Sequence, residues 1–483
     1  MKKITSKLLG GVLLFSLSMS LTSCEGALDD IFGHWERPRT PVASVELNET
    51  MIVVNVGATS MSLTGIVSPA NATDKTITWK SSNPSVATVD ANGLVSFVGQ
   101  GSVIITATAD GVESSCEVIV NNPVDLATKT ADFEVQDCEA LSGTLNVSTT
   151  PIKVTVADGA TVTLENMTIE GVHGTAAEYK HAGLSFEGDG TLILKGVNIV
   201  KGFHDTFPGI HVKQGKTLTI KGDGKLTASS GESTYRYGSG IGGGSGIDCG
   251  NIVIESGTII ADGGRTAAGI GGGNGGACGD ITIHGGDITA TCEGYAGAGI
   301  GIAFTGATGG GITITGGKIT AEVKGNNAGV AIGSAAQATM GKITISGGDI
   351  TATGGRCGIG AYTRGKCGDI DISGGKIVAT SGLYGAGIGT GYGNNTTHKT
   401  VCGNITISGG EIIATGGQYA AGIGTGHSST SGTSVCGDIT ITDGVTQVTA
   451  TKGADATNSI GNGDANGTCG TVTIAPGANV TQN

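Results

Sequence analysis

Acidic and basic side chains crowd closest together between Arg356 and Asp371, where Arg356, Arg364, Lys366, Asp369 and Asp371 fall within 16 residues. A polysaccharide lyase or glycosidase needs such a convergence, with one group to move a proton and another to stabilise charge. If the chain is an enzyme, Arg364, Lys366, Asp369 and Asp371 are its catalytic candidates, acting on an acidic polysaccharide. A second set, His204, Asp205 and His211, stands beside Phe203 and Phe207 in loops where solvated histidines are expected. Sugar binding asks for less, namely flat aromatic faces on a rigid surface. All eight tyrosines lie beyond residue 178. Tyr384 and Tyr419 stand four residues, and Tyr295 five, before an isoleucine that recurs along the chain, so Tyr295, Tyr384 and Tyr419 are the candidate ligand-binding residues.

Metal chemistry finds less support. Gly243-Gly244-Ser245-Gly246-Ile247-Asp248 fits the first six positions of a calcium-binding nonapeptide, but Gly250 stands where a large apolar residue belongs and no second copy adjoins it. Cys249, Cys278, Cys367, Cys402, Cys436 and Cys469 each precede a glycine, and neither a CxxC pair nor a histidine at fixed offset accompanies them. They read as small apolar residues stacked on one another, with side chains poorly directed for bridging and a redox state left open. No metal and no other cofactor is expected.

The elements that must hold these residues come from a repeat. CGDITI, a Gly-Gly corner, a charged residue, ITAT, a loop and AGIG are written again and again, with the AGIG isoleucine at Ile241, Ile270, Ile300, Ile332, Ile359, Ile388, Ile423 and Ile460. Triplets such as Ile281-Thr282-Ile283 alternate apolar and polar, the period of a half-buried strand. About three short strands per repeat, turned by glycines, make one coil of a solenoid whose apolar side chains stack on the next coil. The pattern predicts an all-β fold ending in a parallel β-helix over residues 125–483, regular over about 240–474, with right-handed coils expected for parallel crossovers. Thr128 to Thr150 are expected to cover its first edge.

A charge pattern sharpens the register. The residue after the Gly-Gly corner is Asp287, Lys318, Asp349, Lys376 and Glu411 in five successive repeats. Stacked coils put such residues about 4.8 Å apart, where alternating signs attract. Asp369 shares its repeat position with Asn251, Asp280, Asn404 and Asp438, which makes its acid structural before it is catalytic. Outward Thr-Ala-Thr triplets resemble those of flat ice-binding solenoids, but Glu322, Val378 and Ile413 interrupt the rows.

Ahead of the repeats come Lys2, Lys3, Lys7, an apolar run from Leu8 to Leu21, and Leu21-Thr22-Ser23-Cys24. This is the order of a signal peptide over residues 1–23, and the last four residues resemble the lipobox of bacterial lipoproteins. That resemblance implies that Cys24 becomes the lipidated first residue of a tethered segment, residues 24–41. Losing residues 1–23 removes three lysines and no acid, so the net charge of −13 becomes −16, which argues against nucleic acid as a partner. Attachment to the membrane is expected through the lipid only.

Residues 42–120 contain Trp79-Lys80-Ser81-Ser82-Asn83-Pro84, Val86-Ala87-Thr88-Val89-Asp90 and Ile105-Thr106-Ala107-Thr108. They resemble the group 2 bacterial immunoglobulin-like domain, which implies a small β-sandwich serving as a spacer or adhesive module. Asn121-Asn122-Pro123 marks the joint to the solenoid, and Cys116 and Cys138, which flank it, could bridge in an oxidising compartment. The Gly-rich coils resemble secreted carbohydrate-binding β-helix proteins in architecture and composition. Together these features predict a non-catalytic adhesion or carbohydrate-binding lipoprotein on the outer membrane or cell surface, facing glycans or a host or neighbouring cell. Replacing Cys24→Ala should move the protein from the membrane fraction to the soluble fraction, and unchanged fractionation would remove the anchor from this reading.

Overall fold

The computed structural model of the chain describes residues 39–145, 150–170, 173–231, 235–325, 328–430 and 433–483. The expected signal peptide and Cys24 lie outside the described residues. The described chain is all β, an immunoglobulin-like unit followed by a parallel solenoid.

In each regular coil the Ile-Thr-Ile strand, for example Ile281–Ile283 or Ile343–Ile345, buries both isoleucines and leaves the central residue half-buried. Past the Gly-Gly corner, strands such as Asp287–Cys292 and Asp349–Gly354 send Ile and Ala inward from alternate positions. The eight AGIG segments, with four strands of the earlier coils, form a twelve-stranded sheet running from Phe133–Val135 to Ile460–Gly461. Coil pairs with coil in register, Ile281 with Ile312 and Ile312 with Ile343. Columns of identical isoleucines therefore fill the interior, each contributing about 1.5–3 kcal/mol relative to exposure. A fourth, two- to three-residue ladder runs from Thr308–Gly309 through Lys366–Cys367 to Thr468–Cys469 and carries the cysteine column. The regular coil thus has four strand segments where the sequence suggested three.

The second glycine of each AGIG segment brings the coils closest together. Gly242, Gly271, Gly301, Gly333, Gly360, Gly389 and Gly424 have φ between +130° and +137°. A Cβ on any of them would lie 2.0–2.1 Å from the carbonyl oxygen of the equivalent glycine one coil on. Both the dihedral and the contact exclude a side chain.

Polar ladders run outside. Asp287, Lys318, Asp349, Lys376 and Glu411 pair one to the next as the alternating signs require, and Lys318 Nζ lies 3.7 Å from Asp287 Oδ2. Glu322, Val378 and Ile413 occupy the threonine columns at the expected register. A third ladder uses carboxylates and amides as backbone acceptors. Oδ1 of Asn251, Asp280, Asp369, Asn404 and Asp438 each accepts an N–H of the following coil, at 2.7–2.9 Å.

The immunoglobulin-like unit packs Ile52, Leu63, Val86, Val95, Ile105, Cys116 and Val118 against one another, with Trp79 half-buried on that core. Its junction corrects the sequence reading. Asn121-Asn122-Pro123 is no loop but part of one strand, Val112–Asp125, which starts in the sandwich and ends in the solenoid. The first half pairs antiparallel with Gly101–Ala109, and the second pairs parallel with Glu139–Ser142 of the first coil. Around it Asn121 Nδ2 donates to Thr163 Oγ1 at 3.0 Å, Asn55 Nδ2 to Glu165 Oε2 at 2.9 Å, and Lys221 Nζ to Glu117 Oε2 at 2.8 Å. The sandwich therefore covers the solenoid's first edge. Thr128 to Thr150, expected there as a cover, instead contribute the strands Phe133–Val135 and Glu139–Thr144 of the first coil. Cys116 and Cys138 do not bridge: both are buried free thiols, Cys116 in the sandwich core and Cys138 in a small cluster with Ile119 and Ile193 at the junction.

Two stability measurements follow from the stacking. Gly360→Ala should cost more than about 3 kcal/mol. Gly306→Ala, at φ +70° with nothing within 4 Å, should cost only the left-handed strain of about 1–2 kcal/mol. Lys318→Asp places three acids side by side and should lower the melting temperature by the equivalent of about 1–2 kcal/mol at low salt, less at high salt. Equal losses for the two glycine variants, or an unchanged Lys318→Asp protein, would contradict the register.

Candidate aromatic binding face

Each coil crosses the AGIG sheet between two loops, one entering and one leaving. Both fold back over the sheet's outer side, where the glycines leave room. Beneath the loops a second small core forms from Ala268, Ala298, Val330, Ala335, Cys357 and Tyr362, with Phe304 packed against it. Because the coils stack in register, residues at one loop position become a row along the solenoid.

The entering loops carry Tyr235, Arg265, Tyr295, Arg356, Tyr384 and Tyr419, and the leaving loops carry Phe304, Tyr362, Tyr392 and His427. The rows meet at one end. Tyr384 stacks on Tyr419 with centroids 5.9 Å apart and planes 16° from parallel. Tyr392 stacks on His427 at 5.5 Å and 6°. Tyr384 joins the two pairs, 5.3 Å from Tyr392 and 5.5 Å from His427. All four rings are half-buried, so they are fixed by packing while part of each remains open to solvent. Asp464 fixes His427 further: its Oδ2 lies 2.6 Å from His427 Nδ1 and accepts Ser428 N–H at 2.7 Å.

Arginines are interleaved with the rings. Arg356 lies over both Tyr384 and Tyr392, at 5.0 and 5.4 Å, and Arg265 over both Tyr235 and Tyr295, at 5.1 and 4.7 Å. The attraction of a guanidinium for a ring face holds each in place. Between the two clusters lies a groove of about 400 Å³, lined by Tyr295, Phe304, Tyr362, Arg356, Arg364 and Asn394 among others.

Of the three tyrosines expected to bind ligand, Tyr384 and Tyr419 come together, while Tyr295 stands apart at the other end of the groove. Tyr392, His427 and Arg265 went unread in the sequence, and Arg356 was read only as part of the charged cluster, although Tyr392 and His427 each stand four residues after the marker isoleucine of their coil.

The acidic candidates have separate commitments. Asp369 accepts the Asn404 N–H as a rung of the acceptor ladder, Asp371 Oδ2 pairs with Lys342 Nζ at 2.5 Å, and Arg364 Nε donates to Asn394 at 3.1 Å. Lys366 lies on the short cysteine-bearing ladder, paired with Thr339 and Val401. The histidines near residue 204 are not solvated as expected. His204 is buried with Nδ1 2.8 Å from Asp205 Oδ1, and His211 Nε2 donates to the Asp248 carbonyl oxygen, 3.0 Å away. Burial pushes the pKa of His211 down, so the ring stays neutral. Among the described residues no group of three or more His, Cys, Asp or Glu side chains is placed to hold a metal ion.

Beside the entering row a half-buried charge cluster ties coils together. Asp262 accepts from Arg236 at 2.8 Å, from Lys324 at 2.8 Å and from Thr291 at 2.5 Å. Burial raises the carboxyl's pKa, but the hydrogen bonds from Lys324, Thr291 and Arg236 outweigh it and hold the group below its ordinary value. A depressed folded pKa stabilises above the unfolded value of about 3.9 and ceases to do so as pH falls through the folded one. Asp262→Asn should therefore cost about 2 kcal/mol or more at neutral pH. The gap in melting temperature from wild type should close below about pH 4, and a gap independent of pH would contradict this account.

Comparison with known proteins agrees with this fold. The model of the group 2 bacterial Ig-like domain matches residues 41–120, and that of the beta helix repeat matches residues 218–245, 252–274, 281–301, 343–362, 370–392 and 405–427. Similar proteins include an uncharacterized protein of Clostridium acetobutylicum, 35% identical over 124 residues, which are 25% of this chain and 12% of that one. An alpha-L-arabinofuranosidase of Bifidobacterium longum is 38% identical over 101 residues, 20% of this chain and 10% of its own. A 3-O-alpha-D-galactosyl-alpha-L-arabinofuranosidase of the same species is 49% identical over 70 residues, 14% and 6%. The chain thus spans about a tenth of the length of these curated relatives. It contains a group 2 bacterial Ig-like domain followed by a region of beta helix repeats.

Proposed function

We propose that the protein is a surface-displayed, non-catalytic carbohydrate-binding lipoprotein, anchored through Cys24 and presenting the aromatic face of its solenoid to glycans. The observation that carries this reading is the cluster of Tyr384, Tyr392, Tyr419 and His427, four rings held by one another on a rigid surface and still partly open. Sugar rings present apolar C–H faces that lie well on such rings, and a platform fixed in advance loses little entropy on binding. The strand shared by the sandwich and the solenoid supports display, because it lets the first domain hold the second at a fixed angle. Two relatives are named as arabinofuranosidases, which places stretches similar to parts of this chain in carbohydrate-handling proteins. The separate commitments of Asp369 and Asp371 favour binding over cleavage.

A glycan array probed with the soluble chain from residue 25 onward should give a defined set of ligands. Tyr384→Ala combined with Tyr419→Ala should weaken binding to them at least tenfold with the fold intact by circular dichroism. Cleavage of a bound polysaccharide into new reducing ends would overturn the non-catalytic reading, and undiminished binding by the double variant would overturn the platform.

A further inference from the structure

We propose that the groove between Tyr295 and Tyr384 selects acidic glycans, Arg356 and Arg364 holding carboxylate or sulfate groups while sugar rings lie along the aromatic rows. This deepens, and rests on, the carbohydrate-binding reading above. The chain has six arginines and an acidic balance of 40 to 27. Where an arginine serves the fold it is paired, as Arg236 is with Asp262 and Glu293. Among the described residues no carboxylate lies within 4 Å of Arg265, Arg356 or Arg364, although acids outnumber bases overall. Arg356 and Arg364 instead line the groove together with Asn394. Arg364 is held with φ +61°, its N–H on Thr400 Oγ1 at 2.7 Å and its Nε on Asn394 at 3.1 Å, so the outer edge of its guanidinium can meet a ligand. Arg356 reaches from the groove to the four-ring cluster, bringing positive charge and stacking surface side by side. A planar guanidinium matches a carboxylate or sulfate edge with two parallel hydrogen bonds, and a groove of this volume suits a ligand of a few rings.

The test uses three oligosaccharide probes: galacturonate oligomers, a sulfated heparin fragment and neutral arabinan oligomers, each titrated at low and high salt. At least one acidic probe should bind tenfold or more tighter than the neutral one, with the advantage falling as salt rises. Arg356→Gln with Arg364→Gln should erase that advantage, so that acidic and neutral probes bind alike, and an acidic advantage that survives in the double variant would overturn the assignment to these arginines. Equal, salt-insensitive binding of acidic and neutral probes would overturn the acidic preference while leaving carbohydrate binding in place. Failure of all three probes, and of the wider array, would overturn carbohydrate binding itself.

An independent observation carries a second inference. The geometry points to two disulfides between neighbouring coils, Cys367 to Cys402 and Cys436 to Cys469. In the same column Cys249 and Cys278 are already joined, with Cα atoms 4.5 Å apart. Gly309 and Met340 then interrupt the column, leaving Cys367, Cys402, Cys436 and Cys469 paired one to the next in register. Partners paired in register on adjacent strands stand about 4.8 Å apart, inside the Cα separation that a disulfide spans. Only the outer pairing uses all four thiols. Each bond forms by exchange with a disulfide donor such as oxidised glutathione: two thiols lose two protons and two electrons, and the donor is reduced to two thiols.

The full chain is treated folded with oxidised glutathione, unfolded, alkylated without reduction and digested with trypsin and chymotrypsin. Cuts after Lys376, Lys399, Tyr419 and Lys452 separate the four cysteines. Cross-linked peptides joining Cys367 to Cys402 and Cys436 to Cys469 are expected, and Cys402→Ser should leave Cys367 alkylated with the second link intact. Four alkylated cysteines, or a Cys402 to Cys436 link with alkylated ends, would overturn the assignment.

Discussion

Backbone meets backbone at the second AGIG glycine, and the rest of the solenoid depends on that contact. With φ near +130° and no room for a Cβ, Gly271, Gly301 and Gly333 let the carbonyl of one coil sit directly over the next. The sheet built this way is thin on its outer side, so the flanking loops close over it and its glycines and isoleucines are buried together. Once that approach is fixed, the register of every other column is fixed with it, because the strands of one coil share one short chain. The isoleucine columns, the charge ladder and the aromatic rows are consequences of the same spacing.

In-register stacking sets equal residues beside each other, and side-chain types respond differently. Like charges repel, so the corner position alternates in sign from Asp287 to Glu411. Isolated carboxylates find another use as acceptors for the next coil's N–H, which is where Asp280, Asp369 and Asp438 are spent. Aromatic rings gain from repetition, since each offers a face to its neighbour. A solenoid of this kind converts scattered acids into structural ladders and scattered tyrosines into continuous surface, which favours binding along its length over chemistry at one point.

Much of this was legible in the residues. The isoleucine markers, the alternating corner charges and the interrupted threonine columns fixed coil and register, because period and sign are local properties of the sequence. The loops were harder to read. Their lengths vary, so Tyr392 and His427 sit at a constant offset only when counted forward from the isoleucine, and Arg356 lies three residues before it where Tyr384 lies four. Asn121-Asn122-Pro123 carries the composition of a turn, yet the strand it belongs to is held by Glu139–Ser142 on one side and the sandwich on the other, partners that no local pattern announces. Asp369 and Asp371 looked convergent because they are close in sequence, whereas Asp369, just ahead of the strand, accepts an N–H of the following coil and Asp371, within it, pairs with Lys342 of the preceding one.

The central claim is that the paired loop rows over the glycine sheet are the face that meets ligand. A crystal structure of the chain with a bound acidic oligosaccharide tests it most directly. The account predicts a sugar ring lying parallel to Tyr384 or Tyr419 with its anionic group against Arg356. Sugar bound on the Ile-Thr-Ile side of the solenoid, with the aromatic rows bare, would contradict it.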